Sequence, residues 1–147
     1  MVKKKKKIII ASGYFDPIHC GHIEYLKLAK EIGTKLIVIV NNDKQAILKK
    51  GKPFMNEADR VKIVQAIRYV DEVYLSTDEN GSVCNSIKDL SEIYTISIFA
   101  KGGDRYSYEI PEGEICKELG IEIVDSLGKK IRSSSELIND SIYKESK

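Results

Sequence analysis

Short apolar runs alternate with amphipathic stretches along the whole chain, and this alternation limits the available folds more than any other feature. Continuous Ile, Val and Leu residues from Lys7 to Ser12 and from Lys35 to Val40 are typical of strands buried on both faces of a sheet. Between them, the stretch from Gly21 to Gly33 has apolar residues at helical spacing and ends in a glycine stop. This segment therefore predicts a strand, a helix and a second, parallel strand.

The same alternation continues toward the end of the sequence. Asn56 is expected to cap a helix whose buried face holds Val61, Ile63, Val64 and Ile67. Further strands are predicted at 72–76, 94–100 and 121–125, and further helices at 82–93, at 111–120 and after a capping box at Ser133–Glu136. We predict one Rossmann-like, doubly wound α/β domain with a mostly parallel sheet of about five strands.

Composition narrows the classes of protein to consider. The chain has 147 residues, enough for one domain over 1–147 with its own core and a basic leader at 1–6. Its 24 basic residues are nearly matched by 22 acidic ones, which disfavours a nucleic-acid partner, although the lysine run at 3–7 leaves a nucleic-acid-binding arm as an alternative. We expect no membrane partner, because neither a signal-peptide pattern nor a membrane-spanning apolar run is found.

The cysteines indicate a reducing compartment. Cys20, Cys84 and Cys116 are odd in number and form no CxxC pair, so we expect reduced thiols and a cytoplasmic protein. Because Cys20 lies between two histidines, the HCGH segment is also a candidate zinc site. A fourth ligand and paired cysteines are missing from that segment, which weakens the zinc interpretation.

Polar segments follow the predicted strands, where open α/β sheets bind their ligands. These segments lie at 13–22, 41–43, 49–52, 101–105 and 128–135. Both histidines of the chain, His19 and His22, are three residues apart at the start of the first helix, so their side chains are expected to point the same way. A helix N-terminus attracts anions, and imidazoles add donors that are partly cationic near neutral pH. Phosphate is therefore the expected ligand. Neither a GxxxxGK[ST] loop nor a GxGxxG motif is present, which disfavours a Walker-type NTPase and a standard dinucleotide-binding fold.

The order of these motifs resembles one known superfamily. HCGH fits the HxGH motif of nucleotidyltransferases, and the segment from Gly13 to Asp43 is similar to their first strand–helix–strand unit. KGKPFMNEADRVKIVQAIRYVDEVYLS, at 50–76, is similar to the next segment of the cytidylyltransferase-like branch. IRSSSELI, at 131–138, occupies the place of that branch's ISTT-type motif, with serines instead of threonines. The resemblance covers nearly all of residues 7–140.

The resemblance implies transfer of AMP or CMP from an NTP (ATP or CTP) to a phosphorylated small-molecule acceptor, with release of pyrophosphate and Mg²⁺ escorting the triphosphate. It implies catalytic roles for His19, His22, Lys50 and Arg68. Nucleotide-binding positions would be Gly13, Tyr14, Phe15, Gly21, Lys101, Gly102, Asp104, Ser133, Ser134 and Ser135, and acceptor-binding positions Asp16, Asp43 and Arg60. Plainer alternatives are a turn at Asp16, a helix ion pair at Arg68, a solvated run at Lys49–Lys52 and core filling by Tyr14 and Phe15.

The acceptor is the least constrained part of this interpretation. KGGD at Lys101–Asp104 resembles heptose 1-phosphate adenylyltransferases, and we expect a sugar 1-phosphate acceptor, with the loop from Arg105 to Glu112 forming part of its pocket. MNEADR and AIRYVDEV resemble glycerol-phosphate and choline-phosphate cytidylyltransferases, and archaeal-type FAD synthetases are a third relative. A nucleotide-binding module without turnover remains the non-enzymatic alternative. The resemblance also implies a homodimer.

Overall fold

The computed structural model describes residues 6–102 and 110–127, in which strands and helices alternate as the sequence predicts. The strands are β1 (Ile8–Gly13), β2 (Lys35–Val40), β3 (Glu72–Leu75), β4 (Ile96–Gly102) and β5 (Glu122–Leu127). The helices are α1 (Cys20–Glu31), α2 (Asp43–Lys50), α3 (Glu57–Gln65), α4 (Cys84–Ile93) and α5 (Gly113–Leu119). All strands are parallel in the order β3-β2-β1-β4-β5. The predicted Rossmann-like, doubly wound architecture is confirmed.

The core lies in two layers, one on each face of the sheet. Successive side chains of a strand face opposite ways, so β1 and β2 supply apolar residues to both layers. One layer includes Leu26 of α1 and Val64 of α3, and the other includes Ile87 of α4 and Cys116 of α5. The helices therefore cover both faces, and the strand ends are left for ligands.

A crevice forms where the chain changes direction across the sheet. The chain passes from β1 outward to β2 and β3, and then returns to the other side of β1 to form β4. Pairing of β1 with β2 extends to Gly13, whereas pairing with β4 ends at Ile10. The carboxyl ends of β1 and β4 are therefore not paired, at the switch point where such sheets bind ligands.

Helix α2 is the main element that the sequence does not predict, because Asp43 and Lys49–Lys52 lie in the polar segments that follow the predicted strands. Its N-cap is Asn42, whose side chain accepts the N–H of Gln45, while the Gln45 side chain accepts the N–H of Asn42. This reciprocal pair is a capping box in which Asn replaces Ser or Thr.

Smaller differences concern the faces and ends of predicted helices. The predicted cap at Asn56 is confirmed, but Ile63 is exposed and Arg60 takes a buried position of α3 instead. Gly33 follows α1 as predicted, and its small size has a further use, because a Cβ there would lie 2.4 Å from the Ile9 side chain. Helix α5 begins at Gly113, two residues later than expected. The helix predicted after Ser133 lies outside the described residues. No helix in the described part is long and apolar enough to cross a membrane.

Candidate functional site

The two histidines form the N-terminal cap of α1. His19 is the N-cap residue, and its Nδ1 accepts the backbone N–H of Gly21 at 3.1 Å. The Nδ1 of His22 accepts the backbone N–H of His19, also at 3.1 Å. The ring centroids lie 3.9 Å apart. The two side chains therefore lie together at the helix start, as their spacing predicts.

This cap fixes the position of the proton on each ring. Because each Nδ1 accepts a backbone hydrogen, the proton of the neutral imidazole lies on Nε2 in both residues. Burial, and after it the neighbouring His19, lowers the pKa of His22 to about 4. His22 is therefore neutral near pH 7, which corrects the expectation of a partly cationic donor there. A neutral N–H at a helix N-terminus remains a good donor to phosphate oxygen.

Phe15 packs against the ring of His22. It is buried, and its ring lies edge-on to that of His22 with 5.1 Å between centroids. Its φ of 52° lies in the left-handed region, and a Cβ at Gly13 would lie 2.9 Å from the ring. The structure thus gives Phe15 and Gly13 packing positions, so the core-filling alternative applies to Phe15 instead of contact with a nucleotide.

Asp16 fastens the first loop to the end of α2. Its carboxylate side chain has no exposed surface and lies 2.6 Å from the Lys50 Nζ, which also donates to the Asp16 carbonyl at 2.7 Å. The same carboxylate accepts the backbone N–H groups of Phe54 and Met55. Burial alone would raise the pKa of Asp16, but the bonds from Lys50 and from these two N–H groups outweigh it and hold the pKa below its usual value.

Arg60 is fully buried and joins several loops. Its guanidinium donates to the carbonyls of Tyr14, Asn41 and Met55, and it pairs with the Asp43 carboxylate at 2.8 Å. A guanidinium with these partners and no exposed surface positions the loops that surround it. The structure therefore does not present Arg60 to an acceptor, in contrast to the role implied by the resemblance.

Tyr14 connects this loop to the second lysine of α2. The Lys49 Nζ lies 4.3 Å from the centroid of the Tyr14 ring, within the range of a cation–π contact. Burial raises the pKa of the Tyr14 hydroxyl, so the phenol stays neutral. Both lysines at the end of α2 thus contact the loop that carries the histidines.

A buried tyrosine, Tyr25, bridges β1 and β4 where these strands are no longer paired with each other. The Tyr25 hydroxyl donates to the Ala100 carbonyl at 2.5 Å and accepts the N–H of Ser12 at 3.3 Å. A Cβ at Gly102 would lie 3.0 Å from the Tyr25 ring, so Gly102 also serves close packing. Lys101 follows at the same edge, with its Nζ 5.3 Å from the Phe99 ring centroid. The sequence reading missed Tyr25, since an aromatic residue on a helix gives no signal of a bridging hydroxyl.

The structure does not bring Arg68 to this site. Arg68 lies between the end of α3 and the start of β3, and the nearby Asp71 N–H donates to the carbonyl of Leu36 at the start of β2. In a parallel sheet those positions lie at the amino edge, opposite the histidines. Arg68 is exposed there, so its assignment as a catalytic residue is corrected.

Some predicted residues fall where the structure gives no description. Asp104, Ser133, Ser134 and Ser135 lie outside residues 6–102 and 110–127. Within those two ranges, no group of three His, Cys, Asp or Glu side chains could hold a metal ion. At the carboxyl edge, the Asp16 and Asp43 carboxylates are already paired with Lys50 and Arg60.

Comparison with known proteins finds relatives along most of the chain. Residues 10–137 match the family model described as cytidylyltransferase-like. The chain is 35% identical over 138 residues to the FAD synthase of Methanothermus fervidus, covering 92% of this chain and 89% of that protein. It is 33% identical over 141 residues to the bifunctional protein HldE of Desulfatibacillum aliphaticivorans, covering 94% of this chain and 27% of HldE.

Other matches are shorter or structural. The FAD synthase of Thermococcus kodakarensis is 48% identical over 79 residues, which cover 52% of this chain and 53% of that protein. The match thus spans about half the length of this relative and of two Pyrococcus FAD synthases. The crystal structure of a lipopolysaccharide core biosynthesis protein from Thermoplasma volcanium aligns with a TM-score of 0.68 and 26% identity, covering 83% of this chain and 97% of that chain.

Proposed function

The chain belongs to the cytidylyltransferase-like family, and we propose that it is a nucleotidyltransferase that moves the adenylyl group of ATP to the phosphate of FMN. The observation that carries the proposal is the His19–His22 cap, which leaves an Nε2–H on each ring at the start of α1. The choice of acceptor is supported by the FAD synthase of Methanothermus fervidus, which aligns along nearly its whole length.

The reaction needs positioned donors and no protein nucleophile. An oxygen of the acceptor phosphate attacks the α-phosphorus, the bond between that phosphorus and the bridging oxygen breaks, and the electron pair leaves with pyrophosphate. The Nε2–H groups of His19 and His22 would donate to the phosphate oxygens on which negative charge grows. Lys50 would reduce the repulsion between the two polyanionic substrates.

Two further residues, Asp16 and Arg60, hold Lys50 and the histidine loop in position. Asp16 holds Lys50 and the backbone at Phe54, and Arg60 holds the loops that meet the histidine loop. We therefore assign Asp16 and Arg60 positioning roles. The nucleotide-binding roles of Gly21, Lys101 and Gly102 and of the residues beyond the described ranges remain part of the proposal.

Magnesium fits this site as a companion of the triphosphate. The Asp16 and Asp43 carboxylates have lysine and arginine partners, so the ion would be held mainly by phosphate oxygens and water. When bound, it would supply positive charge to the leaving pyrophosphate.

A sugar 1-phosphate is the second candidate acceptor. KGGD at Lys101–Asp104 resembles heptose 1-phosphate adenylyltransferases, and HldE matches along most of this chain. Both candidates share the adenylyl donor and differ in what is attached to the accepting phosphate.

Pyrophosphate release with Mg²⁺ tests the proposal, using ATP or CTP against FMN, heptose 1-phosphate, glycerol 3-phosphate and phosphocholine. We expect release with ATP and FMN. The double variant His19→Asn, His22→Asn keeps an oxygen that can accept the cap hydrogens but loses both Nε2–H donors. Loss of one such donor costs about 10²–10³ in rate. Full activity in this folded variant would reject the catalytic assignment, and release with another acceptor would replace FMN.

A further inference from the structure

Phe54 is an exposed aromatic side chain on a fixed backbone next to the site. Its side chain is 76% exposed, the largest fraction among the large apolar side chains of the described part. Its N–H nevertheless donates to Asp16 Oδ2 at 2.8 Å, and the next N–H donates to Oδ1 of the same carboxylate. The ring is thus held out in solvent by an anchored segment, at a cost in exposed apolar surface.

Lys50 shares the anchor of Phe54. The Lys50 Nζ and the Phe54 N–H both contact Oδ2 of Asp16. On α2, Ile47 precedes Lys50 by three residues and therefore lies on the same helix face. Ile47 is also exposed, at 52%. Lys50, whose ammonium group would meet the accepting phosphate, thus lies in the sequence between two exposed apolar residues, Ile47 and Phe54.

We propose that Phe54 is a specificity-determining residue that stacks on the planar aromatic ring of the acceptor, with Ile47 packing beside it. The inference rests on the proposed function, since it takes Lys50 to bind the accepting phosphate. A ring joined to phosphate by a short flexible chain would place its phosphate at Lys50 and its flat face on Phe54. Ring stacking gains binding energy without base-specific hydrogen bonds.

An acceptor without a planar aromatic ring would gain less from this arrangement. The ring of a sugar 1-phosphate is not planar, and its hydroxyl groups need hydrogen-bonding partners that an apolar side chain does not supply. The exposed ring of Phe54 therefore favours an acceptor with a planar aromatic ring, such as FMN, over a sugar 1-phosphate.

The test compares KM values for FMN and for ribitol 5-phosphate, which keeps the phosphorylated chain and lacks the ring. Phe54→Ala is expected to raise the KM for FMN about ten-fold with little change in kcat or in the KM for ATP. Phe54→Trp is expected to restore the FMN value. Leu48→Ala is the matched control, because Leu48 is 65% exposed on α2 and lies two residues from Lys50, on another face.

Flavin fluorescence quenching on the ATP-free protein gives a second readout. We expect the parent protein to quench FMN fluorescence on binding. An FMN affinity about ten-fold lower in Phe54→Ala supports the inference. If the parent enzyme turns over FMN and Phe54→Ala behaves like Leu48→Ala, the inference fails and the proposed function stands. An equal loss with FMN and ribitol 5-phosphate also overturns it, since that result assigns Phe54 a role in the loop. If the parent protein neither binds nor uses FMN, both fail.

Discussion

The two edges of the sheet carry similar ion pairs in different surroundings. At the amino edge, Asp71 lies 2.5 Å from the Lys30 Nζ and accepts the N–H of Leu36. At the carboxyl edge, Asp16 lies 2.6 Å from the Lys50 Nζ and accepts two N–H groups. The Asp71 side chain is 38% exposed, whereas that of Asp16 has no exposed surface. The two ion pairs therefore differ in the burial of the carboxylate and not in the distance between the charges. The exposed Lys30–Asp71 pair joins strand ends, whereas the buried Asp16 of the other pair holds the candidate site together.

The largest effect is expected where the buried charge has the most partners. Arg60→Met removes the donors to three carbonyls and leaves Asp43 without its partner, which we expect to cost about 3–5 kcal/mol in the free energy of unfolding. Urea denaturation measures this value. Arg68→Met at the amino edge is the control, with an expected change within about 0.5 kcal/mol. Equal losses in the two variants would mean that burial does not distinguish the edges.

Lys50 at the carboxyl edge and Lys30 at the amino edge allow the most direct comparison, because each pairs with one aspartate. Lys50→Met leaves a buried carboxylate with only backbone partners, and we expect a loss of about 1–3 kcal/mol together with a large loss of adenylyl transfer. Thermal unfolding and pyrophosphate release would be measured on the same preparations. A Lys50→Met enzyme as active as its parent would remove Lys50 from the proposed mechanism.

Between pH 6.5 and 4, acid is expected to weaken the carboxyl edge through His22, and below that range it acts on an aspartate at each edge. The unfolded His22 titrates near 6.5 and the folded one near 4, so the unfolded state binds more protons between these values and stability falls as the pH drops through them. Asp16 and Asp71 have lowered pKa values, and their contribution is lost only below the usual value of 3.8. His22→Asn should flatten the upper range alone, as followed by melting temperature against pH. An unchanged slope between pH 6.5 and 4 in that variant would contradict the role of His22.

The smallest effect is expected at the amino edge. Lys30→Met leaves Asp71 partly exposed and still bonded to the Leu36 N–H, so we expect a loss below about 1 kcal/mol. Adenylyl transfer should be unchanged. High salt should reduce the difference between parent and variant, because it screens exposed pairs. A loss as large as that of Lys50→Met would show that the exposed clip matters equally to stability.

Most of the fold could be predicted because its signals are local. Buried strands such as Lys35–Val40 are continuous apolar runs, and α1 has a clear apolar period between them. Helix α2 was missed because its sequence is mostly polar and buries only Gln45 and Ala46. The Asn42–Gln45 capping box was the available signal. Gln45 is buried because its side chain also donates to the carbonyls of Asn80 and Ser82, which no local pattern could indicate.

The site was predicted in its location more than in its roles. The histidines and Lys50 lie where the sequence places them, since each follows the end of a central strand or its next helix. The roles of Arg60 and Arg68 could not be assigned, because helix direction and burial decide them. Arg60 lies in the first turn of α3, near the carboxyl edge, and Arg68 follows the other end of that helix. The tautomers of the histidines depend on backbone N–H groups whose positions only the folded loop defines.

The contacts of Arg60 also bear on how the protein folds. They join positions 46 and 19 residues apart in the chain, at Tyr14 and Asn41. Contacts between distant residues form only after the entropy of closing the intervening chain has been overcome. The loops at Tyr14 and Asn41 therefore take their final arrangement only when α3 has docked and Arg60 reaches both carbonyls. Helix α1 with its histidine cap is local structure, whereas the surroundings of the cap depend on these distant contacts.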